Sequence, residues 1–283
     1  MKPQFINALV RTALSEDVGS GDITSRLVIP SGVSVEATIV SRSSAVVCGL
    51  EVAREVFRQV DPSIRVQLRV KEGDKVKAGA VLMALDGPAR SVLTAERTAL
   101  NFLSYLSAVA SRTRQFCDAV RGYKAVILDT RKTTPGLRLL ERYAVRCGGG
   151  QNHRDGLYDM VLIKDNHRFL SRKDETLDQT VLRVRARTKK KIEIEVDGLV
   201  ELREVLPGRP DIVLLDNMSP RDMRTAVALV ARLPAGRRPL LEASGGITLG
   251  NVRAAAATGV DRISTGALTH SREAIDMSME FIQ

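Results

Sequence analysis

The stretch DIVLLDN, residues 211–217, indicates the fold of the second half of the chain. It is a short, uninterrupted apolar run that ends at polar residues. Such a run is typical of a strand buried on both faces, as in a parallel sheet. Five more runs of this form are AVILDTRKT (125–133), MVLIKDNH (160–167), KIEIEVDG (191–198), PLLEASGG (239–246) and GVDRISTGALTH (259–270).

Helical segments lie between several of these runs, among them TLDQTVLRVRART (176–188) and PRDMRTAVALVARL (220–233). Alternating strands and helices are the pattern of repeated β-α units around a parallel sheet. Because six such units fit within residues 124–270, the sequence favours a closed or nearly closed α/β barrel over an open sheet. No GxGxxG motif opens a helix after a strand, so a dinucleotide-binding fold has no support.

Residues 25–90 have a different pattern, in which valine-rich segments alternate with polar residues, as in VSVEATIVS and IRVQLRVKEG. Alternation with period two, broken by glycine turns, predicts antiparallel strands with one solvated face. One long helical stretch then covers residues 91–120. Its apolar arc at helical spacing consists of Val92, Ala99, Leu103, Leu106 and Ala110.

Two charged residues lie in or beside that arc, Glu96 within it and Arg97 at its margin. A charge on the apolar side of a helix needs a partner. Helical position favours an internal ion pair between such residues, and the alternative is that they point into a functional site.

The chain has 283 residues, of which 44% are hydrophobic and 27% charged, as in soluble globular proteins. No apolar run approaches the roughly 18 residues of a membrane span, and the first residues lack a signal-peptide core. The three cysteines are widely spaced and form no CxxC pair, so we expect a reducing cytoplasm and neither a disulfide framework nor a zinc site.

The net charge of +10 would suit a nucleic acid, an anionic membrane or a polyanionic small molecule. Aromatic residues make up only 4% of the chain, and most basic residues are scattered among the apolar runs. Nucleic-acid binding is therefore disfavoured as the main function, because it calls for dense basic segments, often with aromatic residues between them.

Polar residues follow every predicted barrel strand, and in an α/β barrel these ends meet at one mouth. Cations there indicate anionic groups to bind, since arginine contacts carboxylate or phosphate through two N–H groups. The turns SGG and STGA can present backbone N–H groups to a phosphate. Carboxylates among these cations suggest hydrated Mg²⁺, with Glu195 and Asp216 as its holders. The strand-end residues are Asp129, Thr130, Arg131 and Lys132; Lys164, Asp165 and Asn166; Glu195 and Asp197; Asp216 and Asn217; Ser244, Gly245 and Gly246; and Thr265, Gly266, Ala267 and His270.

The segment TRKTTPGLRLLERYAVRCGGGQNHRDGLYDMVLIKDNH (130–167) closely resembles the quinolinate phosphoribosyltransferase family. The segments ALSEDVGSGDIT, TAERTALNFLS, LLDNMSP, LEASGGI and STGALTHS are similar to that family in the same order, so the resemblance spans nearly the whole chain. One departure is Arg142, where the family commonly has lysine. The resemblance implies an N-terminal open α/β sandwich in residues 1–112, with a long linking helix. It also implies an incomplete, TIM-like α/β barrel in residues 113–283, whose C-terminal end can pack on the first domain.

The activity implied by the resemblance is phosphoribosyl transfer from 5-phosphoribosyl 1-pyrophosphate to quinolinate. The products are nicotinate mononucleotide, pyrophosphate and CO₂, and Mg²⁺ is required. The family also implies a homodimer, or a higher oligomer, whose site is completed by the neighbouring subunit. Arg97 resembles the arginine that crosses from that neighbour, which replaces the internal ion pair as the preferred interpretation.

Roles for the other residues also follow from the resemblance. Arg131, His153, Arg154 and Lys164 would bind the quinolinate carboxylates, with Thr130 and Lys132 beside them, and Lys132 would also reach pyrophosphate. Glu195 and Asp216 would contact the ribose hydroxyls and Mg²⁺. Ser244, Gly245, Gly246, Thr265, Gly266 and Ala267 would seat the 5-phosphate, with His270 near the same mouth. The catalytic set is Lys132, Lys164, Glu195 and Asp216.

Three other interpretations stay open at this point. A molybdate-operon protein resembles these transferases, although the basic set here argues for a dicarboxylate. Lys164 ends an apolar strand and could form a Schiff base, as in a barrel aldolase. The positive net charge could bind nucleic acid, and such binding would weaken as the salt concentration rises.

Overall fold

The computed structural model describes residues 3–171, 174–270 and 273–282, which divide into two compact units. Within those ranges, the first unit comprises residues 3–114, 135–149 and 273–282. The second comprises residues 115–134, 150–171 and 174–270.

The chain contains α-helices, β-strands and short 3₁₀ turns. The helices are α1 (Pro3–Val18), α2 (Ile23–Val28), α3 (Leu50–Val60), α4 (Ala89–Ala119), α5 (Arg138–Cys147), α6 (Asp165–Phe169), α7 (Leu177–Arg185), α8 (Leu199–Val205), α9 (Pro220–Ala231) and α10 (Val252–Ala256). The strands are β1 (Ser34–Ser41), β2 (Ala45–Val46), β3 (Arg65–Leu68), β4 (Lys75–Val76), β5 (Val81–Pro88), β6 (Val126–Leu128), β7 (Val161–Ile163), β8 (Ile192–Val196), β9 (Ile212–Asp216), β10 (Leu240–Ser244), β11 (Arg262–Ser264) and β12 (Met277–Phe281).

The first unit contains an antiparallel sheet with the strand order β12-β1-β5-β3 and a two-stranded pair, β2 and β4. Thr38 of β1 lies opposite Ala84 on one side and Glu280 on the other. Because successive side chains of a strand point to opposite faces, the residues of β3 alternate between exposed and partly buried, and the predicted antiparallel strands are confirmed.

Helix α4 confirms the predicted long helix, and all five residues of its predicted apolar arc are fully buried. Helix α3 buries an apolar face formed by Val52, Ala53, Val56 and Phe57. Helix α5 also belongs to the first unit, although the chain places it between two strands of the second. Arg142 is buried on α5.

The second unit contains one six-stranded sheet with the order β6-β11-β10-β9-β8-β7, and every neighbouring pair is parallel. All six predicted strands are present in the predicted runs. In the described part of the chain β6 and β7 are the edges of this sheet, and β6 gains one bridge between Leu128 and Gln151. The α/β class and the incomplete barrel are thus confirmed.

The core of the second unit lies on strands that are buried on both faces. Ile192, Ile194, Val213 and Leu215 are at most 1% exposed. No helix within the described ranges combines the length and the apolar character that a bilayer span requires.

Candidate active site

The candidate site lies at the carboxyl edge of the six-stranded sheet. Because all its strands are parallel, their carboxyl ends lie along one edge. The polar residues that follow the strands are therefore gathered there, in four small groups.

A cation and two carboxylates form the group at the ends of β7, β8 and β9. The Lys164 ammonium group donates to the Glu195 carboxylate, whose side chain is 6% exposed, whereas that of Lys164 is 44% exposed. Burial raises the pKa of Asp216 above its ordinary value, and the charge of Glu195 raises it further. Lys164 acts in the opposite direction, so the two carboxylates are near each other and near this cation.

A pair of glycines follows β10 and packs beside Asn217. Gly245 and Gly246 have φ values of +84° and +59°, a region that favours glycine. A Cβ atom on Gly245 would lie only 2.3 Å from Asn217 Oδ1. The Asn217 amide group donates to Asp216 Oδ2 at 2.7 Å, so the glycine turn is coupled to the carboxylate group.

The end of β11 forms a second small turn. The Thr265 hydroxyl donates to the Ile247 carbonyl at 2.9 Å and accepts from the Ala267 N–H at 3.2 Å. A Cβ atom on Gly266 would lie 2.7 Å from His270 Nε2 and 3.0 Å from Lys132 Cδ. The turn therefore brings Lys132 and His270 together beside residue 266, and a side chain there would displace them.

His153 lies deeper than the strand ends. Its Nε2 atom is 3.1 Å from a carboxylate oxygen of Glu193 and 3.1 Å from one of Glu242, and its side chain is only 7% exposed. Arg262 Nε contacts the other Glu242 oxygen at 2.8 Å. Two buried carboxylates therefore share one imidazole, and a guanidinium group neutralises one of them.

Burial alone would lower the pKa of His153, but hydrogen bonds and charge from the two glutamates outweigh it and raise that pKa to about 9. The backbone N–H of Arg154 lies 2.8 Å from Nδ1, where the neutral ring accepts it. Protonation at Nδ1 would lose this contact. That contact joins two neutral groups and is weaker than the two charged contacts at Nε2. The glutamates therefore keep the pKa of His153 above its ordinary value.

The position of His153 is fixed by Asp129, which follows β6 and is fully buried. The Asp129 carboxylate accepts from the His153 backbone N–H at 2.7 Å and from the Asn152 amide group at 2.5 Å. Asp129 thus links the end of β6 to the segment that carries His153 and Arg154.

Arg131 and Arg154 form the fourth group. Burial lowers the pKa of Arg154, and the charge of Arg131 lowers it further, so two guanidinium groups lie within electrostatic range. Arg131 is exposed, and the adjacent Thr130 hydroxyl accepts from the Lys132 N–H at 3.1 Å. Two neighbouring cations at one edge favour an anionic ligand.

The first unit carries the remaining residues that the sequence singled out. Arg97 is exposed on α4, outside the four groups. A Cβ atom on Gly148 would lie 2.4 Å from the Ala110 carbonyl oxygen, and Gly149 has a φ of +91°. Gly148 and Gly149 therefore form a tight, close-packed turn after α5.

The prediction did not include Glu193, Glu242 and Arg262, which surround His153. A signal for them exists in the strand sequences, because Glu193 precedes Glu195 by two residues and therefore shares its face of β8. Glu242 has the same relation to Ser244 on β10. A charged residue in the middle of a buried strand was the available clue.

Comparison with known proteins agrees with this geometry. Family models described as the N-terminal and C-terminal domains of quinolinate phosphoribosyl transferase match residues 22–107 and 109–280. A nicotinate-nucleotide pyrophosphorylase [carboxylating] of Mycobacterium leprae is 42% identical over 96% of this chain and 95% of that protein. A quinolinate phosphoribosyltransferase [decarboxylating] of Nicotiana tabacum is 37% identical over 97% of this chain and 82% of that protein.

A solved structure shows the same similarity in three dimensions. The nicotinate-nucleotide pyrophosphorylase of Francisella tularensis superposes with a TM-score of 0.92 at 40% identity, covering 100% of this chain and 98% of that one. The family models together span most of the chain, and the match includes both units. The chain belongs to the quinolinate phosphoribosyltransferase family.

Proposed function

We propose that this chain transfers the phosphoribosyl group of 5-phosphoribosyl 1-pyrophosphate to the ring nitrogen of quinolinate, with loss of the 2-carboxylate as CO₂. The products are nicotinate mononucleotide and pyrophosphate, which places the reaction in NAD synthesis. The observation that carries the proposal is the set of cations, carboxylates and glycine turns at one sheet edge in a member of this family.

Quinolinate is a dicarboxylate, and Arg131 and Arg154 supply two neighbouring guanidinium groups for it. Each can bind a carboxylate through two parallel N–H groups. The other proposed contacts to quinolinate are His153, Lys164, Thr130 and Lys132. His153 is held by Glu193 and Glu242, and its burial restricts what it can contact.

The 5-phosphate is assigned to the turns after β10 and β11. Backbone N–H groups of left-handed or tight turns form concave anion sites. Gly245 and Gly246 supply left-handed backbone, and Thr265, Gly266 and Ala267 supply the second turn, with Ser244 beside them. His270 and Lys132 flank Gly266, where Lys132 adds positive charge and the His270 ring an N–H donor for phosphate or pyrophosphate.

The donor set at Glu195 and Asp216 fits Mg²⁺, which prefers oxygen ligands and retains several waters. Each carboxylate lies within the electrostatic influence of the other, and the charge of Lys164 lowers the pKa of Asp216. A bound dication would relieve the same repulsion. When bound, Mg²⁺ supplies charge neutralisation for pyrophosphate, and these carboxylates also orient the ribose hydroxyls.

Chemistry of this kind needs positioning and charge rather than an enzyme nucleophile. The sugar carbon passes through an oxocarbenium-like state, and the anionic Glu195 and Asp216 near it stabilise positive charge. Lys132 and His270 hold the leaving anion, while the arginines align the pyridine nitrogen. Once the nitrogen carries ribose, the C2–carboxylate bond breaks, CO₂ leaves and the cationic ring stabilises the electron pair left at C2. That carbon then takes a proton from water, so decarboxylation requires little beyond orientation.

Arg97 is proposed to complete the site of a neighbouring subunit in a homodimer. Its exposure on α4 leaves the guanidinium group accessible to a second chain. The proposed compartment is the cytoplasm, which suits three cysteines that are present as thiols.

A product assay tests the function. Purified chain is incubated with quinolinate, phosphoribosyl pyrophosphate and Mg²⁺, and nicotinate mononucleotide and released CO₂ are measured, with nicotinate as the control substrate. The proposal is supported if nicotinate mononucleotide forms with quinolinate as the substrate and does not form with nicotinate. Product from nicotinate, or none from quinolinate with folded protein, overturns it. Omission of Mg²⁺ tests the metal, and full activity without it would remove Mg²⁺ from the proposal.

A further inference from the structure

A cluster of two thiols and one carboxylate lies in the first unit. Cys48 precedes α3, Cys147 ends α5 and Glu72 precedes β4, and one ligand atom of each lies within 4.8 Å of the others. None of the three cysteines forms a disulfide in this structure. The Sγ atoms of Cys48 and Cys147 lie within 4.8 Å of each other, and each thiol influences the pKa of the other.

The two thiols differ in accessibility. Cys48 is fully buried, and its backbone N–H and carbonyl are fixed by the Ser107 hydroxyl at 3.0 and 3.1 Å. Cys147 is partly exposed at the end of a helix and is followed by three glycines. Cys147 is therefore the more accessible of the two thiols to a reagent from solvent, and Cys48 is the shielded one.

Their reactivities differ in the same sense. A hydrogen bond with Cys48 lowers the pKa of Cys147, and contacts with Tyr143 and Arg146 contribute. Burial raises the pKa of Cys48. A thiolate is the reactive form of cysteine, and redox-sensitive sites commonly place an accessible, low-pKa thiol next to a second one.

Glu72 argues against a metal in this cluster. Its carboxylate accepts from the Gly49 N–H at 2.9 and 3.2 Å, and from the Leu50 and Glu51 N–H groups. These bonds cap the first turn of α3, where Gly49 has no side chain to do so. A structural zinc needs four ligands, and this cluster supplies two thiols and a carboxylate that is already engaged.

We propose that Cys147 and Cys48 are a peroxide-sensitive thiol pair, in which Cys147 is oxidised and Cys48 closes a reversible disulfide. The proposal is independent of the proposed transferase function.

The chemistry needs hydrogen peroxide as the oxidant. The Cys147 thiolate attacks one peroxide oxygen, so that an S–O bond forms, the O–O bond breaks and hydroxide leaves. The Cys48 sulfur then attacks the sulfenic sulfur of Cys147, which forms the S–S bond and breaks the S–O bond. The proton of the Cys48 thiol leaves with that oxygen as water, and a dithiol reductant reverses the sequence.

The experiment treats the reduced, full-length protein with hydrogen peroxide and follows its intact mass. We expect a loss of two hydrogen atoms and a single linked peptide that joins Cys48 to Cys147. C147S should give no link. C48S should stop at a sulfenic acid on Cys147, trapped by a 1,3-diketone probe. C117S is the matched control and should behave as the wild type.

Three results would overturn the proposal. One is a link that includes Cys117. Another is oxygen addition to Cys147 in the wild type without any link. The third is one zinc ion per chain in the purified protein that is lost in C147S, which would assign the cluster to a metal. If C48S fails to fold by circular dichroism, the wild-type peptide map and C147S decide the matter alone.

Discussion

The glycine pair after β10 gives a sharp test of the site, because its two residues differ in what a methyl group would meet. We expect Gly245→Ala to be severely damaging and Gly246→Ala to be mild. At Gly245 a Cβ atom would lie 2.3 Å from Asn217 Oδ1, whereas at Gly246 the nearest atom is 3.8 Å away. Both residues have positive φ, so both variants pay the same kind of backbone strain, roughly 1–2 kcal/mol.

The clash makes the difference between the two variants. Since ordinary contact begins at 3.4 Å, the Asn217 amide group must retreat by about 1 Å. That movement breaks its 2.7 Å bond to the Asp216 carboxylate. Asn217 is exposed and water replaces part of the bond, so the extra loss of folding stability is about 1 kcal/mol. Asp216 then loses the bond that orients its carboxylate, and misplacing a reacting group by about 1 Å costs about 100-fold in rate.

The assays are urea unfolding followed by far-ultraviolet circular dichroism, and steady-state kinetics with phosphoribosyl pyrophosphate as the varied substrate. For Gly245→Ala we expect kcat/KM to fall about 100-fold, and for Gly246→Ala less than about tenfold. Equal losses in the two variants would refute the reasoning, because they share the strain and differ in the clash. Wild-type kinetics in Gly245→Ala would also refute it.

Three further predictions concern charge and assembly. The raised pKa of His153 means that its contribution to stability is complete below pH 6.5 and is lost as the pH rises through about 9. The difference in unfolding midpoint between wild type and His153→Gln should therefore shrink over that interval, and a constant difference would contradict the raised pKa. Arg131→Ala should fold but lose about 100-fold or more in kcat/KM for quinolinate. Arg131→Lys should recover only part of that loss, because lysine lacks the planar pair of donors. Wild-type-like activity in Arg131→Ala would count against the assignment. Mixed, inactive Arg97→Ala and Lys164→Ala proteins should regain some activity through hybrid dimers, and none after verified subunit exchange would exclude a shared site.

The fold of the second unit was predictable because each of its strands has a local signature. Runs such as DIVLLDN need no distant information, since an apolar run between polar ends forms a strand wherever it is buried. The position of α5 was not predictable in this way. Its residues carry an ordinary helical pattern, and only tertiary packing assigns Leu140, Ala144 and Val145 to the core of the first unit.

Site residues could be predicted where strand ends determine their position. Lys164, Glu195 and Asp216 come together because three parallel strands end side by side. Their exact partners depend on register, which the sequence does not give. The pairing of Lys164 with Glu195, rather than with Asp216, follows from the adjacency of β7 and β8.

The environment of His153 shows why the roles of residues buried inside a barrel are harder to predict than the roles of residues at its mouth. Glu193 and Glu195 share one face of β8, and sequence alone gives no reason to separate their roles. In the structure the earlier residue lies a step deeper and holds His153 together with Glu242, whereas the later one reaches the mouth and pairs with Lys164. Two acids that are two residues apart on one strand can thus differ in role. The deeper one, Glu193, anchors His153, and the outer one, Glu195, presents its charge at the mouth. The imidazole that the deeper acid binds arrives from a segment beyond β6, so the function of each acid is set by contacts far away in sequence.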